Sequence, residues 1–313
     1  MCIRDSSLSD NAIYSFCKDR EDGIWIGSYF GGVNYYPRSY TYFEKYYPKG
    51  IENSLHGKRV REFCRDSQGI LWIGTEDGGL NRFNLKTKDF SFFAPSAGFT
   101  NIHGLCLVDD KLWVGTFSKG LKVIDTRSGV VLKTYQKNDS PRSLIDNSIF
   151  AICKTATGDI YLGTMFGLVR YNKQSDDFDR IPELNGKFIY DIKEDSAGNI
   201  WLATYANGVY CYNVNDRKWK NYVHDDKDNT SLPYNKVSSV FEDSHRQIWL
   251  TTQGGGFCIF HPESETFTSY NSTNGLPSDV VYQIVEDKEG QLWLTTNNGL
   301  VCFQPNTEAM KVY

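Results

Sequence analysis

The sequence predicts an all-β fold, a seven-bladed β-propeller built from four-stranded antiparallel blades. Three observations carry this reading. A phrase of two apolar runs around a glycine-rich reversal, GILWIGTEDGGLNRF at 69–83, recurs seven times. Its aromatic anchors, Trp25, Trp72, Trp113, Tyr161, Trp201, Trp249 and Trp293, stand 47, 41, 48, 40, 48 and 44 residues apart, the period of a four-stranded blade. Aromatic residues make up 15 % of the chain, with 27 glycines and little helix-period sequence, as turn-rich β proteins require.

Within each repeat the elements follow in order. An alternating strand comes first, as in AIYSFCKD at 12–19, IFAICKT at 149–155 and VVYQIVED at 280–287. A D-x-x-G turn follows (66–69, 195–198, 287–290), in which Asp accepts backbone N–H groups and Gly takes positive φ. The anchor strand and its glycine hairpin come next. A short fourth strand ends the unit, as in DFSFF at 89–93, KWKNY at 218–222 and TFTSY at 266–270. One such sheet is too exposed to stand alone, whereas radially packed sheets bury both faces. An S-L-x-x-N lead-in precedes several first strands, at 7–11, 143–147 and 231–235, with GLPSD at 275–279 in the same phase. Because each unit reads from first to fourth strand, blade seven is expected to meet blade one without a shared strand.

The bulk numbers exclude several classes. A net charge of −4 with mixed signs gives no nucleic-acid surface and no polybasic membrane patch. Five histidines lack metal-ligand spacing, and the turns offer one carboxylate each without a calcium-loop series. Neither metal nor cofactor is expected, nor a catalytic residue: no G-x-S-x-G, phosphate loop or dinucleotide fingerprint occurs. Eight cysteines include no C-x-x-C pair; the seven from Cys17 onward recur in phase with the anchors and read as buried free thiols. Residues 1–7 match no repeat and carry no signal-peptide core. They read as scar-like, leaving 8–313 as one propeller domain and a fragment of something longer.

The combination of D-x-x-G turn, W-[IVL]-G-T step, G-[LV]-x-x-[YF] strand and S-L-x-x-N lead-in resembles the two-component regulator propeller repeat. Departures are Tyr161 for Trp, Ala203, Thr251 and Thr295 for the step glycine, and Arg246 for a turn glycine. The resemblance implies a periplasmic sensor region of a hybrid two-component histidine kinase, anchored through its parent in the inner membrane, responding to oligosaccharides and regulating carbohydrate use. The fragment itself is then non-catalytic.

Hairpin order places the loops between second and third strands on one face with the lead-ins, and function on such scaffolds lives in loops. Candidate ligand-binding residues there are Tyr29, Phe30, Arg59, Glu76, Asp77, His103, Phe117, Lys119, Phe166, Tyr205, Asn207, Tyr234, Gln253 and Asn297. Aromatic faces, amides and a few charges suit an oligosaccharide or other small ligand. Further expected partners are the neighbouring domains of the parent sensor and a second copy of the chain; no nucleic acid is expected. Two other classes share the scaffold: a carbohydrate-active lyase or glycosidase, and a protein-interaction ring, although the G-H and W-D dipeptides of WD repeats are missing.

Overall fold

A computed structural model describes residues 12–18, 24–28, 30, 32–36, 43–93 and 100–313. The chain divides into two compact units, 1–47 and 48–313.

The first unit holds one sheet of three described strands, β1 (Ile13–Lys18), β2 (Ile24–Ser28) and β3 (Val33–Tyr36). The second unit holds six four-stranded antiparallel meanders. They are β4 (Val60–Arg65), β5 (Ile70–Thr75), β6 (Gly79–Asn84) and β7 (Phe90–Phe93); then β8 (Ile102–Val108), β9 (Lys111–Thr116), β10 (Leu121–Asp125) and β11 (Val131–Tyr135). β12 (Ile149–Lys154), β13 (Ile160–Thr164), β14 (Gly167–Asn172) and β15 (Asp177–Arg180) form the next. β16 (Ile189–Glu194), β17 (Ile200–Thr204), β18 (Val209–Asn213) and β19 (Lys218–Tyr222) follow. β20 (Val237–Glu242), β21 (Ile248–Thr252), β22 (Phe257–His261) and β23 (Thr266–Tyr270) precede β24 (Val281–Glu286), β25 (Leu292–Thr296), β26 (Gly299–Gln304) and β27 (Ala309–Val312). Each sheet is contiguous in sequence, as the phasing predicts, and these are propeller blades. The four-strand expectation holds for the six sheets of the second unit, while the first sheet shows three strands among the described residues.

The anchors are wedges between sheets. Trp72 packs on Ile102, Leu112 and Val114 of the following sheet, Trp113 on Ile149, Leu162 and Phe178, and Trp201 on Val240, Leu250 and Phe260. Trp249 packs on Leu294, Val301 and Phe303. These four rings are buried; Trp293, on the last sheet, is half-buried and Trp25 is 44 % exposed. Burying an indole of ~150–250 Å² at roughly 25 cal/mol per Å² contributes about 4–6 kcal/mol before entropy is counted.

The turn aspartate does more than the sequence reading assigned. Asp243 Oδ1 accepts from the N–H groups of His245 and Gln247 at 2.9 and 2.8 Å, while Oδ2 accepts from the Trp249 indole at 2.8 Å. The same indole bond ties Trp72 to Asp66, Trp201 to Asp195 and Trp293 to Asp287, at 2.9, 2.8 and 2.7 Å. One carboxylate thus closes the turn and fixes the wedge. Where the anchor is Tyr161, the turn residue is Thr155, whose hydroxyl bonds only within its own turn.

The Gly-Thr step has two parts. Each threonine donates its hydroxyl to the carbonyl that opens the third strand, as Thr75 to Gly79 at 3.0 Å and Thr204 to Gly208 at 2.7 Å. The glycine before it is a packing requirement: a Cβ on Gly74, Gly115 or Gly163 would stand 2.7 Å from the Ile102, Ile149 or Ile189 side chain of the next sheet. Ala203 and Thr251 occur where that residue is Val237 or Val281.

The lead-in is a plug and a tie. Leu55, Leu144, Leu232 and Leu276 are buried. The Asn147 carbonyl accepts from Gly120 N–H at 3.0 Å and its side chain from Lys137 N–H at 2.7 Å. Asn235 repeats this with Gly208 and His224, at 2.9 and 2.8 Å.

Cysteine phase has a register cause. Cys17, Cys64, Cys106 and Cys153 on first strands, and Cys211 and Cys302 on third strands, are paired directly with their anchor. All seven described thiols are free, but only Cys211, Cys258 and Cys302 are buried, and Cys17 is exposed. Burial pushes Cys64 up to about 11 and Cys153 up to about 12, so both remain protonated thiols near neutrality.

Asp243→Ala strands an indole N–H and two turn N–H groups. The buried indole N–H left unsatisfied costs ~1–3 kcal/mol and the part-buried turn N–H groups less, so the expected loss is about 2–4 kcal/mol by urea unfolding, against under about 1 kcal/mol for the exposed Asp216→Ala. Equal losses from the two substitutions would refute the clamp.

Candidate functional site

The site grows out of one irregularity repeated in every blade. Between the first two pairs of the first and second strands the register slips by one residue, at Ile13/Ser15, Val60/Glu62, Ile102/Gly104, Ile149/Ala151, Ile189/Asp191, Val237/Ser239 and Val281/Gln283. Each slip is a β-bulge, two residues facing one partner. In the second unit the bulge residues are Arg61, His103, Phe150, Tyr190, Ser238 and Tyr282.

A cavity of ≈ 720 Å³ lies between the first strands of the six sheets. Arg61, Phe150, Tyr190, Ser238 and Tyr282 line it, together with the residues that follow them, among them Glu62, Asp191, Ser239 and Gln283. The volume is that of a small-ligand site. The bulge turns two successive side chains inward where a regular strand would offer one. Of the bulge residues only His103, and of the cavity lining only Arg59 and Glu76, were singled out from the sequence, because a one-residue slip leaves no mark on an alternating pattern.

Above the cavity is a rim. The residue after each step threonine donates its N–H to a lead-in carbonyl: Glu76 to Arg59, Phe117 to Asn101, Met165 to Ser148, Tyr205 to Phe188, Gln253 to Lys236 and Asn297 to Val280, at 2.9–3.3 Å. Five expected site residues, Glu76, Phe117, Tyr205, Gln253 and Asn297, therefore occupy one equivalent position. The equivalent Tyr29 lies outside the described residues, and its neighbour Phe30 is exposed on the first unit's hairpin.

Rim and bulge share a run of aromatic contacts across three blades. His103 stands 5.7 Å from Phe117 and 4.6 Å from Phe150; Phe150 meets Phe188 at 4.4 Å, and Phe188 stacks on Tyr205 at 5.2 Å and 15°. Lys236 Nζ lies 4.3 Å over the Tyr205 ring, and the Arg61 guanidinium 5.3 Å over Tyr190. Phe117 and Tyr205 remain 38 % and 43 % exposed.

Of the remaining expected residues, Arg59 and Glu76 line the cavity. Asp77 is a structural clamp whose Oδ1 accepts from Lys58 and Arg59 N–H groups at 2.9 and 3.1 Å, the Arg59 bond chiefly lowering its pKa. Lys119 and Asn207 donate backbone N–H groups to Thr116 and Thr204 hydroxyls at 2.9 Å. Tyr234 packs its ring on Gly254, and Phe166 is exposed. Asn297 Oδ1 accepts the Tyr282 hydroxyl at 2.5 Å, joining rim to bulge.

The electrostatics are set by burial. Desolvation raises Glu62 to about 8, with Asp191 adding to the rise and Arg61 opposing it. Desolvation also raises Asp191, against N–H bonds from Val240 and Ile192 at 3.0 and 2.8 Å. His103 is driven down to about 4, so it is neutral, with Nε2 2.7 Å from Asn101 Oδ1 and Nδ1 buried without a partner. Among the described residues no group of three or more His, Cys, Asp or Glu could hold a metal ion, and no helix is long and apolar enough to cross a membrane.

This repeated-blade scaffold around a cavity is that of a β-propeller. Residues 7–30, 54–77, 183–206 and 275–298 match the Two component regulator propeller family, each match spanning lead-in, first strand and anchor strand, so four of the blades carry that repeat. It is similar to the extracellular domain of the putative hybrid two component system BT3049 from B. thetaiotaomicron: 26 % identity over 96 % of this chain and 40 % of that one, TM-score 0.59. Histidine kinase P4 of Formosa agariphila is 29 % identical over 177 residues, 54 % of this chain and 12 % of the kinase. The chain thus spans about an eighth of that curated relative. Virginiamycin B lyase from Staphylococcus aureus shares the fold, with a TM-score of 0.64 at 15 % identity over 82 % of this chain and 83 % of the lyase.

Glu62 gains protons on folding, so stability falls as pH rises from its unfolded pKa near 4.5 to its folded value of about 8. Glu62→Gln is expected to flatten that slope and raise the melting temperature at pH 8.5 by at least about 3 °C. Parallel profiles for the two proteins between pH 5 and 8.5 would exclude a Glu62 carboxyl whose pKa folding raises.

Proposed function

We propose that this chain is the non-catalytic, ligand-sensing part of the extracytoplasmic region of a hybrid two-component histidine kinase. In this reading the parent is held in the inner membrane, with the propeller in the periplasm. Residues 8–313 form one seven-bladed domain; the first sheet repeats the bulge and the Cys–Trp pairing of the other blades, which supports counting it as one of them. The ligand is an oligosaccharide and the output carbohydrate use. Neighbouring domains of the parent and a second copy of the chain are its protein partners.

The observation that carries the ligand reading is the aromatic run ending in the exposed rings of Phe117 and Tyr205. Sugar rings present C–H faces that stack on such surfaces, and hydroxyls that pair with amides and carboxylates such as Gln253, Asn297 and Glu76. The repeat family and the likeness to an extracellular two-component domain support the sensing context.

Calorimetric titration with neutral tri- to hexasaccharides tests the rim. Phe117→Ala/Tyr205→Ala is expected to weaken binding at least about tenfold, or 1.4 kcal/mol, with little change in melting temperature. Unchanged affinity in the double variant, or no binding to any neutral oligosaccharide of the panel, would refute the rim as an oligosaccharide platform.

A further inference from the structure

Beneath the rim, one guanidinium is only partly paired. Arg61 Nε is buried without a hydrogen-bond partner. It stands 3.9 Å from Glu62 Oε1, and Nη1 stands 3.4 Å from Glu76 Oε1. A guanidinium offers five donors in a planar fork, and here a single long bond is made to a carboxylate. The group is held by ring faces, 5.6 Å from the Phe150 centroid and 5.3 Å from that of Tyr190. Desolvation pushes its adjacent carboxyl, Glu62, up to about 8, so near pH 6.5 the guanidinium's paired carboxylate is Glu76. Ser238 Oγ, on another first strand of the same cavity, is also buried with no partner.

We propose that this cavity is a binding site for a carboxylate carried by the ligand, taken by Arg61 as a two-pronged hydrogen-bonded pair beside Ser238. An acceptor-only planar group with two oxygens matches the fork geometry of a guanidinium with donors to spare. Glu62, its pKa pushed up by desolvation, opposes that group less than an ionised carboxylate would, and the ligand takes the place of the long Glu76 bond. The cavity volume of ≈ 720 Å³ accommodates one acidic sugar residue, its charged end among the bulge side chains and its ring toward the rim aromatics. This names the ligand class as a uronic-acid saccharide, and it rests on the reading of the rim as a sugar platform.

The test compares methyl β-D-glucuronide with methyl β-D-glucoside, which differ at the carboxylate, by calorimetry on the whole chain at pH 6.5. The uronide is expected to bind at least tenfold more tightly. Arg61→Gln abolishes that preference, and Arg61→Lys, which keeps the charge without the fork, retains only part of it; melting curves report whether each variant is folded. Equal affinity for the two glycosides, no binding of the uronide, a preference for the 6-sulfated glucoside over the uronide, or full preference in folded Arg61→Gln would each overturn the assignment. A failure here with rim binding of neutral oligosaccharides intact sinks the carboxylate site alone; loss of rim binding sinks the platform reading.

Discussion

The structure depends on a carboxylate that serves two masters. In four blades a turn aspartate accepts both backbone N–H groups of its own hairpin and the indole N–H of the tryptophan six residues on. A tryptophan driven between two sheets must bury its N–H, and an unpaired one would forfeit much of what the ring's burial gains. Supplying the acceptor from the adjoining turn couples the local hairpin to the inter-sheet contact. The blade with Tyr161 and Thr155 shows both halves of the pair replaced together.

With the outer sheets fixed in this way, the inner edge is free to carry chemistry. The bulge of each first strand is repeated in all seven sheets, and it collects Arg61, His103, Phe150, Tyr190, Ser238 and Tyr282 at equivalent places. The rim position after the step threonine is equally regular. Cavity and rim are therefore two stacked tiers of one repeat.

Much of the fold was legible because its determinants are local. Period-two alternation, the Gly-Thr step and the D-x-x-G turn specify hairpins without reference to distant residues, and β12, β19 and β23 lie where their motifs put them. The rim was legible too, since hairpin order alone assigns loops to faces, and Glu76, Phe117, Tyr205, Gln253 and Asn297 share a position. The cavity was not. A bulge is a slip between partners, visible only once the partner strand is in place, and Arg61-Glu62 reads in isolation as two ordinary strand residues. Loop position misled at Asp77, which is exposed but whose Oδ1 is occupied by backbone N–H groups.

The bulge has an evolutionary corollary. Its extra residue has no cross-strand partner, so exchanging one side chain there for another disturbs neither the ladder nor the indole wedges behind it. A lineage of such chains can diverge in what it recognises by rewriting these inward letters one blade at a time, while inheriting an unchanged frame.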